Sequence, residues 1–266
     1  MTPEQIQAGI VLPVDKPRQW TSFQAVAKIK AILRHSCGLP KVKIGHAGTL
    51  DPLATGLLLV CIGRATKSIP SLQDADKVYT GTLVLGATTP CHDLERPIDR
   101  YYPFSHITLH SLQEAARGLT GPLMQAPPIF SAVKIEGKRA YELARADTSD
   151  EMVKPKAVLV HSFEITDFRP GDASAATCPS TSAAPSDDTH LYSNPQGTVP
   201  QHLPQADFRI ACGKGTYIRS LARDLGTALG SGAFLTALRR EQIGTYSVDK
   251  ALKLEQVESY LKSEPL

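Results

Sequence analysis

Hydrophobic and polar residues follow each other along this chain with two different periods, which predict both helices and strands. Between Thr21 and Arg34 hydrophobic residues recur at helical intervals, and Thr21 and Gln24 have the spacing of a capping box, so a helix is predicted there. The apolar run LLLVCIG, residues 57–63, predicts a buried strand. Residues from Tyr79 to Leu85 alternate between two faces, which is typical of a strand.

The second half of the chain gives the same mixture. Strands are predicted from Leu159 to Phe168 and from Asp207 to Cys212, and a helix from Thr216 onward is predicted to end at Gly230. A last helical stretch covers Leu254 to Leu261. Helices and strands do not follow each other in a regular repeat. The pattern therefore predicts an α+β fold, and it leaves the order of the strands open.

The segment from Pro170 to Ala206 differs from its surroundings. It is rich in Ser, Thr, Pro and Asp and has few large apolar residues. Such a composition cannot offset the entropy of ordering, so a mobile surface loop is expected. The segment separates two predicted strands, which favours an insertion at the tip of a hairpin. His190 and His202 lie within it, but paired Cys or acidic residues at the spacing of a metal site do not accompany them.

Composition and charge exclude few classes of protein. The chain has 266 residues, of which 42% are hydrophobic, enough for the core of one large or two small domains. The net charge is only +3, so binding to nucleic acid would depend on local clusters of basic residues. Solvated helix faces produce such clusters as well. The clusters are Lys28, Lys30, Arg34, Lys41 and Lys43; Lys134, Lys138 and Arg139; and Arg239 with Arg240.

Several classes of protein are disfavoured. The 5 cysteines are far apart and form no CxxC pair, which argues against a disulfide framework or a zinc site. The polar N-terminus lacks the features of a secretion signal, and no apolar stretch approaches the roughly 18 residues that a membrane span needs. A cytoplasmic protein without a metal is therefore expected.

The segment GHAGTLDPLATG, residues 45–56, carries the strongest candidate for chemistry. Asp51 is the only acidic residue between Asp15 and Asp74, and Pro52 disfavours a helical conformation for it. An Asp before a Pro is often only a turn residue. The basic residues that flank this segment are Lys41, Lys43, Arg64 and Lys67. A single carboxylate between glycines, flanked in sequence by basic residues, favours a functional residue over one that only forms a turn.

This segment resembles the catalytic motif of the TruB family of tRNA pseudouridine synthases, and further motifs of that family follow in order. They are DKP (15–17), KVYTGTLVLG (77–86), QAPPIFSAVKIEGKRAYELAR (125–145), GKGTYIRSLARDLG (213–226) and LRR (238–240). Each motif is weak alone, but together they span most of the chain. The resemblance implies the pseudouridine synthase fold, a mixed, largely antiparallel sheet flanked by helices, with a central RNA-binding cleft.

The resemblance also implies three catalytic residues. Asp51 would be the nucleophile, and attack at the uracil ring and attack at the ribose both stay open. Arg219 would pair with this carboxylate, because a carboxylate in a shielded site needs a fixed cation to stay charged. Tyr79 would stack on a uracil that is flipped out of the RNA. An exposed helix arginine and a sheet-core tyrosine are the plainer interpretations of the last two.

A second group of residues is expected to bind the RNA. His46 resembles the histidine that fills the space left by the flipped nucleotide, although a structural histidine is the alternative. Lys16 is expected to support the floor of the site, where it would meet a carboxylate or a phosphate. Tyr217 is expected near the same site. Gln125 and Lys134 lie in a segment that runs near the RNA in the family, and Lys134 offers a phosphate contact.

The sequence thus predicts an enzyme that converts uridine to pseudouridine at position 55 of the tRNA T-loop, without a cofactor. Residues 1–253 are expected to form the catalytic domain and 254–266 a C-terminal helix and tail, with no PUA domain. The expected partner is the T-arm of tRNA, bound by a monomer that needs no obligate protein partner.

Three alternatives are set against this reading. A synthase for another RNA and a non-catalytic tRNA-binding chaperone stay open. A metal-dependent hydrolase is disfavoured, because no cluster of carboxylates lies near Asp51 in the sequence. The segment ATTPCHDLE, residues 87–95, departs from the family pattern and leaves its role open.

Overall fold

The computed structural model describes residues 1–128, 134–135, 138–139, 154–172 and 199–263. The chain divides into two compact units. The first unit consists of Met1–Thr80 with Leu238–Leu266, and the second of Gly81–Ala237. A domain boundary between residues 253 and 254 stays a prediction. In the described ranges, no helix combines the length and the apolar character that crossing a membrane requires.

The strands, numbered along the chain, are β1 (Ile10–Lys16), β2 (Ile44–His46), β3 (Thr55–Ile62), β4 (Lys77–Leu85), β5 (Ala87–Thr88), β6 (Arg100–Tyr101), β7 (Gly121–Gln125), β8 (Lys134–Ile135), β9 (Lys138–Arg139), β10 (Lys156–Arg169), β11 (Gln205–Cys212), β12 (Ala233–Ile243), β13 (Tyr246–Ser247) and β14 (Leu252–Lys253). The α-helices are α1 (Pro3–Ala8), α2 (Ser22–Ser36), α3 (Ile69–Asp74), α4 (Leu109–Gly118), α5 (Ile218–Ala228) and α6 (Val257–Lys262). Short 3₁₀ helices cover Gly63–Ser68, Val248–Lys250 and Leu254–Gln256. This mixture confirms the predicted α+β class.

The sheet of the first unit is centred on β3. This strand lies antiparallel to β1, with Lys16 opposite Gly56, and antiparallel to β2. It lies parallel to β12, where Arg240 is opposite Gly56. The strand β14 pairs parallel with β1. The predicted buried strand is therefore confirmed as β3, whose residues are buried from Gly56 to Ile62.

Helix α2 packs against this sheet, and its start is the predicted one. Thr21 caps the helix, since its hydroxyl accepts a hydrogen bond from the Gln24 N–H while the Gln24 side chain accepts one from the Thr21 N–H. Ala25, Ile29 and Leu33 are buried at helical spacing. Burial of each such Ile or Leu contributes about 1.5–3 kcal/mol. These residues share one hydrophobic cluster with Leu12, Val14, Leu58, Val60, Ile62, Leu254, Val257 and Leu261.

The second unit is built on antiparallel strands. Strand β10 pairs antiparallel with β11 and, over its first five residues, with β7. Both β10 and β11 start earlier in the chain than the sequence predicts. Helix α5 begins after Tyr217 and ends before Gly230, which has a φ of +62° that favours glycine, so the predicted stop is confirmed.

The predicted insertion connects β10 to β11, which form a hairpin with Arg169 opposite Gln205. Most of the segment, residues 173–198, lies outside the described residues. Its C-terminal end is part of the folded unit, however: Leu203 is buried, and residues 205–206 belong to β11. The predicted boundary at residue 206 is therefore wrong, because a single buried leucine and strand pairing order the last residues of a polar segment.

Candidate active site

Asp51 lies in the loop between β2 and β3. The loop starts where the Ala47 N–H donates to Leu59 O at 2.9 Å, and it turns back where the Ala54 N–H donates to Asp51 O at 3.1 Å. Ala47, Leu50 and Ala54 are buried, whereas Asp51 is half-buried. The loop is thus anchored by buried apolar side chains on both sides of Asp51.

The start of α2 and the residues just before it hold this loop from one side. The Ser22 hydroxyl accepts a hydrogen bond from Leu50 N at 2.9 Å and donates one to Leu50 O at 3.1 Å. The Gln19 N–H donates to Pro52 O at 2.8 Å. Both neighbours of Asp51 are therefore tied to residues 19–22, a connection that the sequence did not reveal.

Lys16 supports the same loop from within the first unit. Its side chain is fully buried, and Nζ donates to Pro17 O at 3.1 Å, Trp20 O at 2.6 Å and Pro52 O at 3.4 Å. Burial lowers the pKa of Lys16 to about 8, an effect that the Asp51 charge opposes. The amine of Lys16 is thus buried among three carbonyls, one of which belongs to Pro52, the neighbour of Asp51, and its role in the site stays a prediction.

Arg240 bonds the backbone of the same loop. Its guanidinium donates from Nε to Leu57 O at 2.8 Å, from Nη1 to Thr49 O at 3.3 Å and from Nη2 to Gly48 O at 3.1 Å. The side chain is only 1% exposed. The prediction that Arg240 joins Arg239 in a phosphate-binding cluster is wrong for Arg240, because its donors are engaged with carbonyls inside the fold.

His46 and Tyr79 also belong to the first unit. His46 ends β2 and is half-buried, and its pKa lies below the usual value, first because of burial and also because of the Arg240 charge. A lowered pKa keeps the imidazole neutral at pH 7. Tyr79 lies on β4 and is 9% exposed. His46 can thus present an uncharged aromatic ring beside the loop.

In the second unit, Arg219 occupies the first turn of α5 and is 5% exposed. Its Nη1 donates to Cys91 O at 3.1 Å, and its Nε lies 3.8 Å from Oδ2 of Asp93. The interpretation of Arg219 as an ordinary exposed helix arginine is therefore wrong. Asp93 was missed by sequence analysis, although it lies in the segment 87–95 that departs from the family pattern.

Gln125 and Tyr217 form a pair that fixes the start of α5. The Gln125 side chain donates from Nε2 to Tyr217 O at 3.1 Å and accepts from Tyr217 N at 2.8 Å through Oε1. Ser220 and Arg223 both donate to Ala126 O. Gln125 is only 2% exposed, and both ends of its amide bond the backbone of Tyr217. It therefore positions the start of the helix that carries Arg219.

Lys134 is the first residue of β8, which pairs with β9 so that Lys134 lies opposite Arg139. The side chain of Lys134 lies outside the described part of the structure, and its phosphate contact stays a prediction. Within the described ranges, no group of three or more His, Cys, Asp and Glu side chains is placed to hold a metal ion.

Two family models match this chain. The model of the N-terminal domain of TruB family pseudouridylate synthase matches residues 34–182. The model of the C-terminal domain of tRNA pseudouridylate synthase B matches residues 219–265. The first match alone spans more than half of the chain.

Solved structures with a similar fold include a chain in the crystal structure of a Cbf5–Nop10–Gar1 complex, with a TM-score of 0.63 and 25% identity. The match covers 97% of this chain and 56% of that chain, so this chain spans little more than half of the solved one. A structure of an H/ACA RNP bound to a substrate RNA containing 2′-deoxyuridine gives a TM-score of 0.60 at 22% identity, which supports the fold alone.

Curated relatives match nearly end to end. The tRNA pseudouridine synthase B of Flavobacterium johnsoniae is 46% identical over 98% of this chain and 100% of its own length. The protein of the same name from Parabacteroides distasonis is 42% identical over 96% of this chain and 94% of its own. Similarity at this level over the whole length, together with the mixed sheet and its flanking helices, shows that the chain belongs to the TruB family of pseudouridylate synthases and has their fold.

Proposed function

We propose that this protein isomerises uridine to pseudouridine in tRNA, at the T-loop uridine known as position 55. Relatives that match nearly end to end are named tRNA pseudouridine synthase B, which supports tRNA as the substrate. The observation that carries the chemistry is the loop of Asp51. Buried side chains hold the residues around Asp51, and Asp51 itself is half-buried.

The reaction breaks the bond between N1 of the uracil and C1′ of the ribose and forms a bond between C5 and C1′. The base turns between these steps, C5 loses a proton and N1 gains one. Nothing is oxidised or transferred to a third molecule, so the balance of atoms calls for no redox cofactor. The protein must supply a nucleophile, a site for the detached base and protection from water.

Asp51 is the proposed nucleophile, acting at either the uracil ring or the ribose. A carboxylate attacks efficiently only if it is held near its target before the reaction, and hydrogen bonds to the loop backbone on both sides supply that rigidity. The nearby ammonium of Lys16 adds an opposite charge within the first unit. The fixed loop and the nearby opposite charge both suit a carboxylate that acts as a nucleophile.

Arg219 is proposed to act on the Asp51 carboxylate. Its position in the second unit is fixed by Cys91 O and Asp93, and Gln125 fixes the turn that leads into α5. A guanidinium presents its donors in a fixed planar fork, a geometry that suits a two-pronged contact with a carboxylate. In this proposal the Asp93 carboxylate sets the orientation of the guanidinium plane of Arg219.

Tyr79 and the neutral ring of His46 are proposed to contact the RNA bases. A base that leaves its stack loses favourable contacts with its neighbours, and aromatic side chains replace part of that energy. In this reading Tyr79 stacks on the target uracil and His46 occupies the space that the nucleotide leaves. Tyr217 lies beside them in the proposal, two residues before Arg219.

The test is to incubate the purified protein with unmodified tRNA and to map pseudouridine at single-nucleotide resolution. We expect pseudouridine at T-loop position 55, both in whole tRNA and in an isolated T-arm stem-loop. Product at another position or only in another RNA would point to a synthase with a different target. Tight binding of tRNA without product would favour the chaperone and overturn the proposed activity.

A further inference from the structure

Arg240 lies in an unusual place for a charged residue. It follows Arg239 on β12, where it is paired in parallel register with Gly56 of β3. Gly56 has a φ of +99°, and a Cβ at that position would lie 2.4 Å from Arg240 O. Only glycine permits so close an approach of the two backbones. The approach brings the Arg240 side chain directly under the loop that carries Asp51.

The guanidinium bridges the two ends of this loop. Gly48 and Thr49 precede Asp51, Leu57 follows it, and Arg240 donates to the carbonyl of each. In the described part of the chain these three carbonyls are the hydrogen-bond acceptors of Arg240, and no carboxylate pairs with it. A planar group with donors in fixed directions can hold three separate carbonyls, whereas a lysine ammonium cannot reproduce that geometry.

We infer that Arg240 is a positioning residue for catalysis, which holds the loop so that the Asp51 carboxylate points at the reacting nucleotide. This inference rests on the proposed function. Misplacement of a reacting group by about 1 Å costs on the order of a hundredfold in rate. Gly48 belongs to the same arrangement. Its φ of +92° favours glycine, and a Cβ there would lie 3.5 Å from Nη1 of Arg240.

A purely structural role for Arg240 makes a different prediction. Arg240 is buried, so its loss leaves carbonyls unsatisfied and lowers stability whatever its catalytic role. If stability were the whole effect, the folded fraction of a variant would react at the wild-type rate. If Arg240 positions Asp51, the folded fraction reacts slowly although it binds tRNA normally. Rate and affinity therefore separate the two roles.

The experiment compares Arg240→Lys with a matched control, Arg169→Lys. Arg169 likewise makes several hydrogen bonds through its guanidinium, two of them to Asp207, but it is exposed and lies on β10 outside the proposed site. For each variant we would measure the single-turnover rate at saturating enzyme, the Kd for unmodified tRNA, and the unfolding midpoint. We expect Arg240→Lys to lose about a hundredfold in rate per folded molecule with Kd changed by less than about threefold. Arg169→Lys should keep the wild-type rate.

A rate for folded Arg240→Lys within about threefold of wild type would overturn the inference, as would a rate loss matched by an equal loss of affinity. If Arg240→Lys fails to fold, Arg240→Met takes its place, because it introduces no buried charge and is judged by the same two measurements. Failure of the proposed function looks different: wild-type protein would form no pseudouridine. An active wild type, an inactive Asp51→Asn and a fast Arg240→Lys would refute only the role of Arg240.

Discussion

The buried ammonium of Lys16 makes the stability of this protein depend on pH in a defined direction. Burial lowers the pKa of Lys16 from 10.5 to about 8 in the folded state, whereas the unfolded chain exposes the amine to water. Between pH 8 and 10.5 the unfolded state therefore binds more protons than the folded state. The free energy of unfolding rises with pH in that window, and the gain is lost again as the pH falls through 8.

The size of the effect follows from the two pKa values. One pKa unit corresponds to about 1.36 kcal/mol, so the fall from 10.5 to about 8 is worth at most about 3 kcal/mol. The wild type should gain about 1.4 kcal/mol by pH 9 and about 2.5 kcal/mol by pH 10, relative to a variant without the amine. The variant is Lys16→Met, which keeps a long unbranched side chain and cannot titrate.

The assay is urea unfolding of both proteins, followed by circular dichroism at several pH values between 7 and 10 and at constant ionic strength. The quantity of interest is the difference in unfolding free energy between wild type and Lys16→Met, because all other titrating groups are shared. Lys30→Met, at an exposed position of α2, controls for the removal of an ammonium as such. A wild-type minus Lys16→Met difference that stays constant within about 0.5 kcal/mol from pH 7 to 10 would refute the reasoning.

Three further predictions concern the proposed site and the hairpin. Asp51→Asn should abolish pseudouridine formation while tRNA affinity and the unfolding midpoint stay near wild type; appreciable turnover would remove Asp51 from the nucleophile role. Arg219→Lys keeps the charge but loses the planar fork, so the rate should fall by about a hundredfold or more with little change in Kd, and a wild-type rate would exclude the proposed contact. Replacement of residues 173–198 by a short Gly-rich linker should preserve the fold. The strands β10 and β11 pair up to Arg169, and Asp172 N bonds His202 O at 2.9 Å. The free energy of closing a loop also changes only slowly with its length. Loss of tRNA binding by this well-folded variant would instead identify a functional arm.

Local patterns in the sequence predicted the elements that local forces determine. The capping box at Thr21, the apolar run of β3 and the glycine stop after α5 are each encoded within a few neighbouring residues. Strand β12 escaped prediction because Arg239 and Arg240 interrupt its apolar pattern. Both charges are compensated only in the folded protein, Arg239 by the two carboxylate oxygens of Asp15 and Arg240 by carbonyls far away in sequence.

In the candidate site, too, some residues can be predicted from local sequence and others cannot. Asp51 stands out in sequence because it is a lone carboxylate in a glycine-bounded segment, and its loop conformation fits that prediction. The groups that hold it cannot be found from spacing. Ser22 lies 28 residues from Leu50, and Arg240 lies 192 residues from Gly48, so these contacts exist only once the sheet has formed. Asp93 was missed for the same reason, since its partner Arg219 belongs to a distant helix.

Exposure separates the basic residues that can bind phosphate from those that cannot. The sequence analysis placed Arg240 in a basic cluster and allowed Lys16 a phosphate contact, but both are buried and bonded to carbonyls. Four exposed cations of the first unit line a cavity of about 440 Å³: Lys41, Lys43, Arg64 and Lys67. Side chains that stay in solvent keep their donors available for RNA phosphates. These residues should therefore contribute to the salt dependence of tRNA binding.

The double variant Lys41→Gln with Lys43→Gln tests this assignment. Each phosphate contact that is lost should reduce the slope of log affinity against log salt by about 0.7 to 0.9, so the variant should lose up to about 1.8 in slope. Lys262→Gln is the control, because Lys262 is exposed but pairs with Glu258 on α6. Binding curves for unmodified tRNA at four or more salt concentrations give the slopes directly. A slope for the double variant equal to that of the wild type, with the control also unchanged, would mean that these two lysines do not contact phosphate.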